Sequence, residues 1–364
     1  MPITGNSIYI HIPFCRKKCP YCHFYSVYPK NEYITAFENA LLKEIIQRKP
    51  TSTLTIYFGG GTPSIMDVKF FEKILKLLPH AQEITIEANP LDISLEKVKH
   101  LKDLGINRIS LGIQSFDDQI LKILQRKHSS KDAIIAIENI VNGGIENISI
   151  DLMYDIPDQT LASFKNSLIT INHFPIKHIS LYNLTIEENT PFYKEKEKLL
   201  PRVANEQESL IFLKTAISYL KSIGFQQYEI SAFAKKGFKS QHNLGYWLGR
   251  EFFGFGPSAF SYINGKRFKN VTNLLSYIKN INNDISPIDF IEKLEDPHKT
   301  RELLTINLRI LSGLNLKKFP NLDLETFNIL ETLKSEKLLK QKKNKISLTK
   351  KGLLFYDTIA ERLI

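Results

Sequence analysis

Short runs of β-branched and other apolar residues alternate with longer amphipathic segments along the first half of the chain. Period-two runs predict six strands, at residues 8–12, 54–58, 83–87, 108–113, 147–152 and 178–182. A helical period predicts six helices, at 33–47, 68–78, 94–104, 131–142, 161–171 and 204–223. Strands that alternate with helices pair in parallel through right-handed crossovers. The pattern therefore predicts an α/β fold of six βα units, whose sheet curls as a barrel or part of one.

Polar residues or glycines stand where five of these predicted strands end. The first strand runs into a loop with cysteines, the second into the glycines 59–61, and the next three end at Glu87, Gln114 and Asp151. A single such residue is equally well explained as a cap of the following helix. Polar residues and glycines at the C-terminal ends of several parallel strands instead lie along one edge of the sheet and predict one shared site.

The three cysteines of the chain, Cys15, Cys19 and Cys22, all lie in the loop after the first strand. Three thiolates can bind three irons of a [4Fe-4S] cube and leave the fourth iron open to a small molecule. Pro20 argues against a packed helical face, and the odd number of thiols argues against a disulfide framework. A zinc site would want a fourth ligand, and His23 is badly placed beside Cys22. The spacing predicts an iron–sulfur cluster, with zinc binding and plain packing as alternatives.

Composition sets broader limits on the class of protein. The chain has 364 residues, 43% of them hydrophobic, which predicts two or three globular domains. It contains no apolar run long enough to span a bilayer and no signal or transit peptide at its start, so we expect a cytoplasmic protein. The net charge of +11 points weakly to an anionic ligand, an acidic membrane or nucleic acid, and scattered lysines favour a solvated surface.

The remainder of the chain changes character twice. Residues 226–277 are rich in Gly, Phe and Tyr and show little periodicity, which predicts an irregular cap over the barrel mouth. Helical patterns at 300–311, 324–335 and 352–363, with a basic hairpin at 338–348, predict a small winged-helix-like domain. The predicted boundaries are 1–225 for the barrel, 226–294 for the cap and 295–364 for the last domain. Nucleic-acid binding is not favoured, because no basic helix is interleaved with aromatic residues.

The cysteine spacing directly after a strand, with Gly59-Gly-Gly-Thr-Pro-Ser64 closing the next, resembles the radical S-adenosylmethionine (SAM) proteins. Further motifs narrow the resemblance to the oxygen-independent coproporphyrinogen III oxidases and their relatives, the HemW-type haem chaperones. These motifs lie at 9–15, 87–90, 111–116, 151–157, 242–247 and 254–259. The resemblance implies a partial (β/α)6, TIM-like radical SAM barrel followed by the cap and the winged-helix-like end.

The resemblance also assigns roles to individual residues. Cys15, Cys19 and Cys22 would bind a [4Fe-4S] cluster, and the methionine end of SAM would chelate its open iron. Other residues would surround the SAM molecule. Gly60, Gly61 and Thr62 would hold its methionine end, Glu87, Gln114 and Arg126 its polar groups, Asp151 its ribose, and Tyr9 and Tyr21 its adenosine, with Thr185 a further rim candidate. The chemistry implied is one-electron reduction of the sulfonium, which releases a 5′-deoxyadenosyl radical.

This chain differs from the oxidases in two features that bear on the choice between oxidase and chaperone. The decarboxylating oxidases carry a fourth cysteine where this chain has Phe24, and they have an extension before the first strand. Both differences favour a haem chaperone. His242, beside Tyr246 and Trp247, is then a candidate haem ligand, and the alternative is a loop histidine that is hydrogen-bonded to the backbone beside packing aromatic residues. The expected partners are haem, a haem-acceptor protein at the membrane and an electron donor such as flavodoxin or ferredoxin, and a homodimer stays open.

Other functions remain as alternatives at this point. The first is an enzyme that oxidatively decarboxylates coproporphyrinogen III to protoporphyrinogen IX, so porphyrinogen is the alternative ligand. The second is a nucleic-acid-modifying radical enzyme that docks through its last domain. The sequence leaves open whether the protein is an enzyme.

Overall fold

The structure is a computed structural model that describes residues 6–320 and 322–364. Its strands are β1 (Ser7–Ile12), β2 (Thr55–Gly60), β3 (Glu83–Ala88), β4 (Arg108–Gln114), β5 (Asn147–Tyr154), β6 (His178–Asn183), β7 (Gln226–Glu229), β8 (Ala232–Ala234), β9 (Phe252–Phe255), β10 (Phe260–Ile263), β11 (Lys266–Asn270), β12 (Ile288–Lys293), β13 (Leu314–Asn315), β14 (Leu339–Lys342) and β15 (Lys345–Leu348).

The α-helices are α1 (Asn31–Arg48), α2 (Val68–Leu75), α3 (Leu95–Asp103), α4 (Asp118–Ile123), α5 (Ser130–Asn142), α6 (Leu161–Ile171), α7 (Pro191–Lys194), α8 (Lys196–Leu199), α9 (Glu206–Ser222), α10 (Gln241–Trp247), α11 (Leu274–Asn282), α12 (His298–Leu308), α13 (Leu324–Ser335), α14 (Lys350–Leu354) and α15 (Tyr356–Leu363). All six predicted strands and the six helices of the first half are confirmed within a few residues.

The centre of the fold is a mostly parallel sheet. Strands β1 to β6 pair in sequence order and all in parallel, as the alternating pattern predicted. The two faces of these strands differ in chemistry: Ile84 and Ile86 of β3 belong to the apolar core, whereas Glu83, Thr85 and Glu87 lie on the other face. Side chains on strands with a period of two alternate between faces. The alternation therefore gives the barrel an apolar outside under the helices and a polar interior.

Residues 226–294 correct the expectation of an irregular cap. Strand β9 continues the sheet in parallel beside β1, and β10 to β12 extend it further, while β8 and β7 add to the other end beside β6. The result is one open twelve-stranded sheet. Strands of three to six residues are too short to leave a clear period in the sequence. Much of the predicted cap is therefore an extension of the barrel wall.

The end of the chain forms a second, smaller core. Strands β13, β15 and β14 make a three-stranded antiparallel sheet packed by α12, α13 and α15. Helix α13 and the hairpin lie where the winged-helix pattern placed them, whereas the last predicted helix is divided into α14 and α15. The three domain boundaries stay predictions. Within the described residues, no helix is both long enough and apolar enough to cross a membrane.

Candidate functional site

The cysteine loop leaves β1 and returns beside it. The backbone N–H of Cys15 donates to the carbonyl of Val27 at 3.0 Å, which pins the base of the loop, and Cys22 N donates to Cys19 O at 3.1 Å. All three thiols are free and half-buried. Burial raises the pKa of the Cys15 and Cys22 thiols above the ordinary value. The loop therefore holds three partly buried thiols within a short stretch of backbone.

The glycine loop after β2 lies against the cysteine loop. Gly61 N donates to Ile12 O at 2.8 Å and Thr62 N to Phe14 O at 2.7 Å, and the Thr62 hydroxyl lies 3.2 Å from Cys15 Sγ. A Cβ on Gly61 would stand 2.6 Å from the Phe14 carbonyl oxygen. Only glycine permits this approach of two backbones. The resemblance explained Gly61 by a ligand, and the structure adds that its missing side chain lets the glycine loop lie against the cysteine loop.

Asp92 joins the two loops to the end of β3. Its nearly buried carboxylate accepts hydrogen bonds from Arg16 of the cysteine loop and from the Ser64 hydroxyl, the latter at 2.8 Å. Ser64 in turn accepts from Asn89 N at 2.9 Å, and Lys97 donates to the carbonyl of Met66 at 3.0 Å. The network lay outside the sequence prediction because its members are ordinary polar residues far apart in the chain. It fixes the cysteine loop to the glycine loop.

Glu87 lies inside the barrel at the end of β3. It accepts a hydrogen bond from the Tyr57 hydroxyl at 2.8 Å, and burial raises the pKa of its carboxyl to about 7. Tyr9 stacks on Tyr57 and bonds His11 Nδ1 at 3.1 Å. Asp151 accepts from Ser110 at 3.2 Å, and burial also raises the pKa of this carboxyl. The structure thus brings Tyr9, Glu87 and Asp151 together in one interior.

Arg126 connects this interior to the thiols. Its guanidinium donates to the Gly112 carbonyl at 2.6 Å and lies 3.5 Å from Cys19 Sγ. Gln114 closes β4 with a left-handed φ of 70° at a register shift, a conformation that costs energy and is common at functional sites. Tyr21 lies beside Cys19 and Arg126, and its ring packs at 6.2 Å from Phe192. Thr185 lies just past β6 and is exposed.

The thiol arrangement fits an iron–sulfur cube. Among residues 6–320 and 322–364, no three His, Cys, Asp or Glu side chains are placed to ligate one metal ion. A cube does not need that convergence, because each thiolate binds a different iron. Three thiols on one loop, with a guanidinium beside Cys19 to offset negative charge, match that requirement. The individual cluster and SAM assignments stay predictions.

Arg108 is a charged residue of the interior that the motifs did not single out. Its side chain is 2% exposed, and within the described chain its Nε finds no hydrogen-bond partner. Neighbouring Thr85 on β3, which is in register with it, also has an unsatisfied hydroxyl. A buried cation among Glu87 and Asp151 favours their ionised forms. The alternation of polar and apolar residues along the strands was the sequence signal that could have indicated a polar barrel interior.

His242 does not present a free nitrogen in this structure. The ring is 1% exposed, and it bonds the Thr55 hydroxyl through Nδ1 and the Tyr246 hydroxyl through Nε2, both at 2.9 Å. Glu83 accepts from its backbone N–H, and burial lowers the pKa of the imidazole to about 3. Thr55 and Glu83 begin their strands, so α10 closes the N-terminal end of the barrel. In this structure His242 thus lies on a helix and its ring bonds side-chain hydroxyls, not the backbone of a loop, and its haem-ligand role stays a prediction.

Replacing His242 by alanine is expected to lower stability and leave haem binding unchanged. The change removes two buried hydrogen bonds and leaves a cavity at the barrel floor, a cost of about 2–4 kcal/mol. Thermal unfolding and haem titration of the same preparation would measure both effects. A large loss of haem affinity with unchanged stability would contradict this expectation and restore the ligand role.

Comparison with known proteins shows the family of the chain. The model of the radical SAM superfamily matches residues 9–170. The heme chaperone HemW of Bacillus subtilis is 34% identical, with 97% of this chain and 98% of that protein covered, and that of Lactococcus lactis is 32% identical over 99% and 97%.

The solved structure of coproporphyrinogen III oxidase (HemN) from Escherichia coli superposes with a TM-score of 0.85, covering 99% of this chain and 90% of that one. At 22% identity this likeness establishes the fold alone. The matches to the chaperones extend along almost the whole length of both chains. The chain is therefore a member of the radical SAM superfamily and, within it, of the heme chaperone HemW family.

Proposed function

We propose that this protein binds haem and delivers it to an acceptor protein at the membrane, and that it carries a [4Fe-4S] cluster and SAM. The observation that carries the proposal is the near-complete alignment with proteins named heme chaperone HemW, at 34% identity over 97% of the chain. Phe24, in place of the fourth cysteine of the resembled oxidases, supports it. Porphyrinogen oxidation has weaker support, because the oxidase shares the fold at only 22% identity.

Membership of the radical SAM superfamily implies the cluster and SAM. Cys15, Cys19 and Cys22 would hold the cluster, which supplies an electron to the bound sulfonium when reduced. Thr62 and the glycine loop would position the methionine end of SAM, and Glu87 and Asp151 would accept hydrogen bonds inside the barrel, close to Tyr9. Arg126 would offset the negative charge of the Cys19 thiolate.

Anaerobic reconstitution followed by two parallel assays tests the proposal. Equilibrium titration should show stoichiometric haem binding, and incubation with coproporphyrinogen III under reducing conditions should leave it unconsumed. Formation of protoporphyrinogen IX together with 5′-deoxyadenosine would contradict the proposal and favour the oxidase. A salt-sensitive affinity for nucleic acid that disappears on removal of residues after 294 would favour the third function.

Glu87 gives the proposal a pH dependence. Because the pKa of Glu87 is raised to about 7, its carboxyl is mostly protonated at pH 6 and mostly ionised at pH 8. The ionised form accepts hydrogen bonds more strongly, so SAM affinity is expected to rise with pH by up to about tenfold. Calorimetric titration with SAM at both pH values, of the reconstituted protein and of its Glu87→Gln variant, separates the effect of this carboxyl from the titration of SAM itself. An equal pH slope in the two proteins would remove Glu87 from the binding site.

Asp92→Asn tests whether retention of the cluster depends on the connection between the cysteine loop and the glycine loop. The substitution keeps the shape but removes the charge that holds Arg16, and hydrogen bonds to a charged group contribute about 1.5–3 kcal/mol. We expect about tenfold faster loss of cluster iron to a chelator under anaerobic conditions. Asp67→Asn is the matched control, since Asp67 caps the nearby helix α2 without bridging the loops. Equal rates of iron loss in both variants would refute the coupling.

A further inference from the structure

Arg108 lies at the start of β4 in a row of interior side chains with unmet hydrogen bonds. It is 2% exposed and in register with Thr85 on β3 and Asn147 on β5, so the three side chains share the interior face. Thr85 Oγ1, Arg108 Nε and Asn147 Oδ1 are all buried, and none has a hydrogen-bond partner among the described residues. Buried polar atoms are nearly always paired with protein or water. The row therefore indicates ordered water around the guanidinium.

The carboxylates of Glu87 and Asp151 lie just beyond this row, toward the C-terminal ends of the strands. Glu87 is in register with Ser110, and the Ser110 hydroxyl donates to Asp151 at 3.2 Å, so this serine lies between the two acids. Ser110 follows Arg108 by two residues on β4 and shares its face. From the rise and spacing of β-strands, the Cα atoms of Arg108 and Glu87 are about 8 Å apart. A side chain as long as arginine can cover most of that distance.

Arg108 supplies positive charge to both acids. Burial is the largest cause of the raised pKa of Glu87; Asp151 raises it further, and Arg108 lowers it. Burial also raises the pKa of Asp151, and Arg108 and Arg126 oppose that shift. The other titratable groups that face Glu87 are buried tyrosines with raised pKa values: Tyr9 of β1, Tyr57 of β2, Tyr182 of β6 and Tyr246 of α10. These tyrosines are uncharged near neutral pH, so they do not replace the cation.

The ionisation of the two acids decides what they can bind. A carboxylate accepts hydrogen bonds with both oxygens, whereas a protonated carboxyl uses one of them as a donor. The hydroxyl and amino groups of SAM are donors, and its sulfonium is a cation. Two buried carboxylates that face each other do not both ionise readily without a compensating positive charge. A fixed cation beneath them therefore prepares the interior for this ligand.

We propose that Arg108 is a positioning residue of the SAM site, whose positive charge holds Glu87 and Asp151 as carboxylates that accept hydrogen bonds from SAM. The inference rests on the proposed function, since it requires that SAM bind in the barrel. Arg108 acts through the two acids and the ordered water of its row, so its removal changes their ionisation first and SAM affinity as a consequence.

Infrared difference spectroscopy of the reconstituted protein without SAM measures that ionisation directly. The Glu87→Gln variant identifies the band of the protonated Glu87 carboxyl. Arg108→Gln removes the charge and should move the midpoint of this titration upward by about one pH unit or more, whereas Arg108→Lys keeps the charge and should stay within about half a unit of wild type. Arg250→Gln is the matched control, because it removes the same charge from a side chain that faces Glu83 at the barrel floor. Its midpoint should equal that of the wild type.

Calorimetry with SAM gives a signature that a merely structural role would not produce. At pH 7 the Arg108→Gln protein should bind SAM about fivefold more weakly, because a smaller fraction of its Glu87 is ionised. At pH 9 it should bind at least as tightly as the wild type, since Glu87 is then ionised in both and the sulfonium no longer meets the charge of Arg108. A loss of affinity that is equal at both pH values would show a structural role and overturn the proposal.

The remaining outcomes separate this inference from the proposed function. An unchanged carboxyl titration in Arg108→Gln, with normal SAM binding by the wild type, would defeat only the role of Arg108. Absence of SAM binding by the wild-type reconstituted protein would defeat the proposed function. Should Arg108→Gln fail to fold, Arg108→Lys decides alone: a wild-type midpoint supports the proposal, and a midpoint raised by about one pH unit contradicts it.

Discussion

Substitution of Cys19 by alanine is expected to abolish the cluster absorbance and, with it, SAM binding. Two remaining thiolates cannot hold three irons of a cube, and the open iron that would chelate SAM is lost with it. The fold should survive, because Arg126 keeps its hydrogen bond to the Gly112 carbonyl when the thiol beside it is removed. Iron and sulfide content, visible absorbance and SAM calorimetry after anaerobic reconstitution measure the effect.

Phe24→Ala is the matched control for Cys19→Ala. Phe24 lies in the same loop and is 56% exposed, so its truncation should leave a full cluster in place. Far-ultraviolet circular dichroism of both variants should match the wild type. Full cluster content in the Cys19→Ala protein would defeat the ligand assignment.

Glu44→Ala is expected to cause the largest loss of stability. Glu44 is 1% exposed on α1, and its carboxylate accepts hydrogen bonds from Tyr277 at 2.7 Å, Asn270 at 2.8 Å, Gly256 N at 2.9 Å and Arg48 at 3.1 Å. Removing one partner of a buried charged network leaves the others unsatisfied, at a cost of about 3–5 kcal/mol. Domains are stable by only about 5–15 kcal/mol, so much of this margin would be lost.

Thermal unfolding of the reconstituted protein should show a melting temperature lower by about 6–10 °C for Glu44→Ala. Glu72→Ala is the control, because Glu72 pairs with Lys76 on the exposed side of α2, where an ion pair contributes little. If the Glu44→Ala and Glu72→Ala variants had the same melting temperature, Glu44 would not hold α11 and the β9–β10 turn to the barrel.

The six parallel strands were predictable because each carries a short β-branched run between helical patterns. The added strands β7 to β12 were not predicted, since they are short, and the two that join the parallel strands do so over long separations: β9 pairs with β1, about 245 residues away, and β8 pairs with β6. Hydrophobic period describes a local surface and carries no information about such partners. The barrel wall was therefore predicted in its parallel part and underestimated at both ends.

The thiols could be found from sequence because their spacing within eight residues limits the geometry to one loop. The residues that hold this loop are spread along the chain, as Arg16, Ser64 and Asp92 show. The haem-ligand role of His242 stays a prediction, and the hydrogen bonds that both ring nitrogens make in this structure, one of them to the distant Thr55, could not be read from its local motif. Burial and bonding of a side chain depend on segments that the local motif does not contain.

The sequence by itself determined the α/β class, the order of the parallel strands and the loop that carries the thiols, because these follow from local period and close spacing. Only the tertiary structure decided that Gly61 lets one loop lie against the other, that Asp92 joins them and that α10 closes the barrel floor. Those features depend on atoms brought within hydrogen-bond distance by chain segments far apart in sequence, and such distances exist only once the sheet has formed.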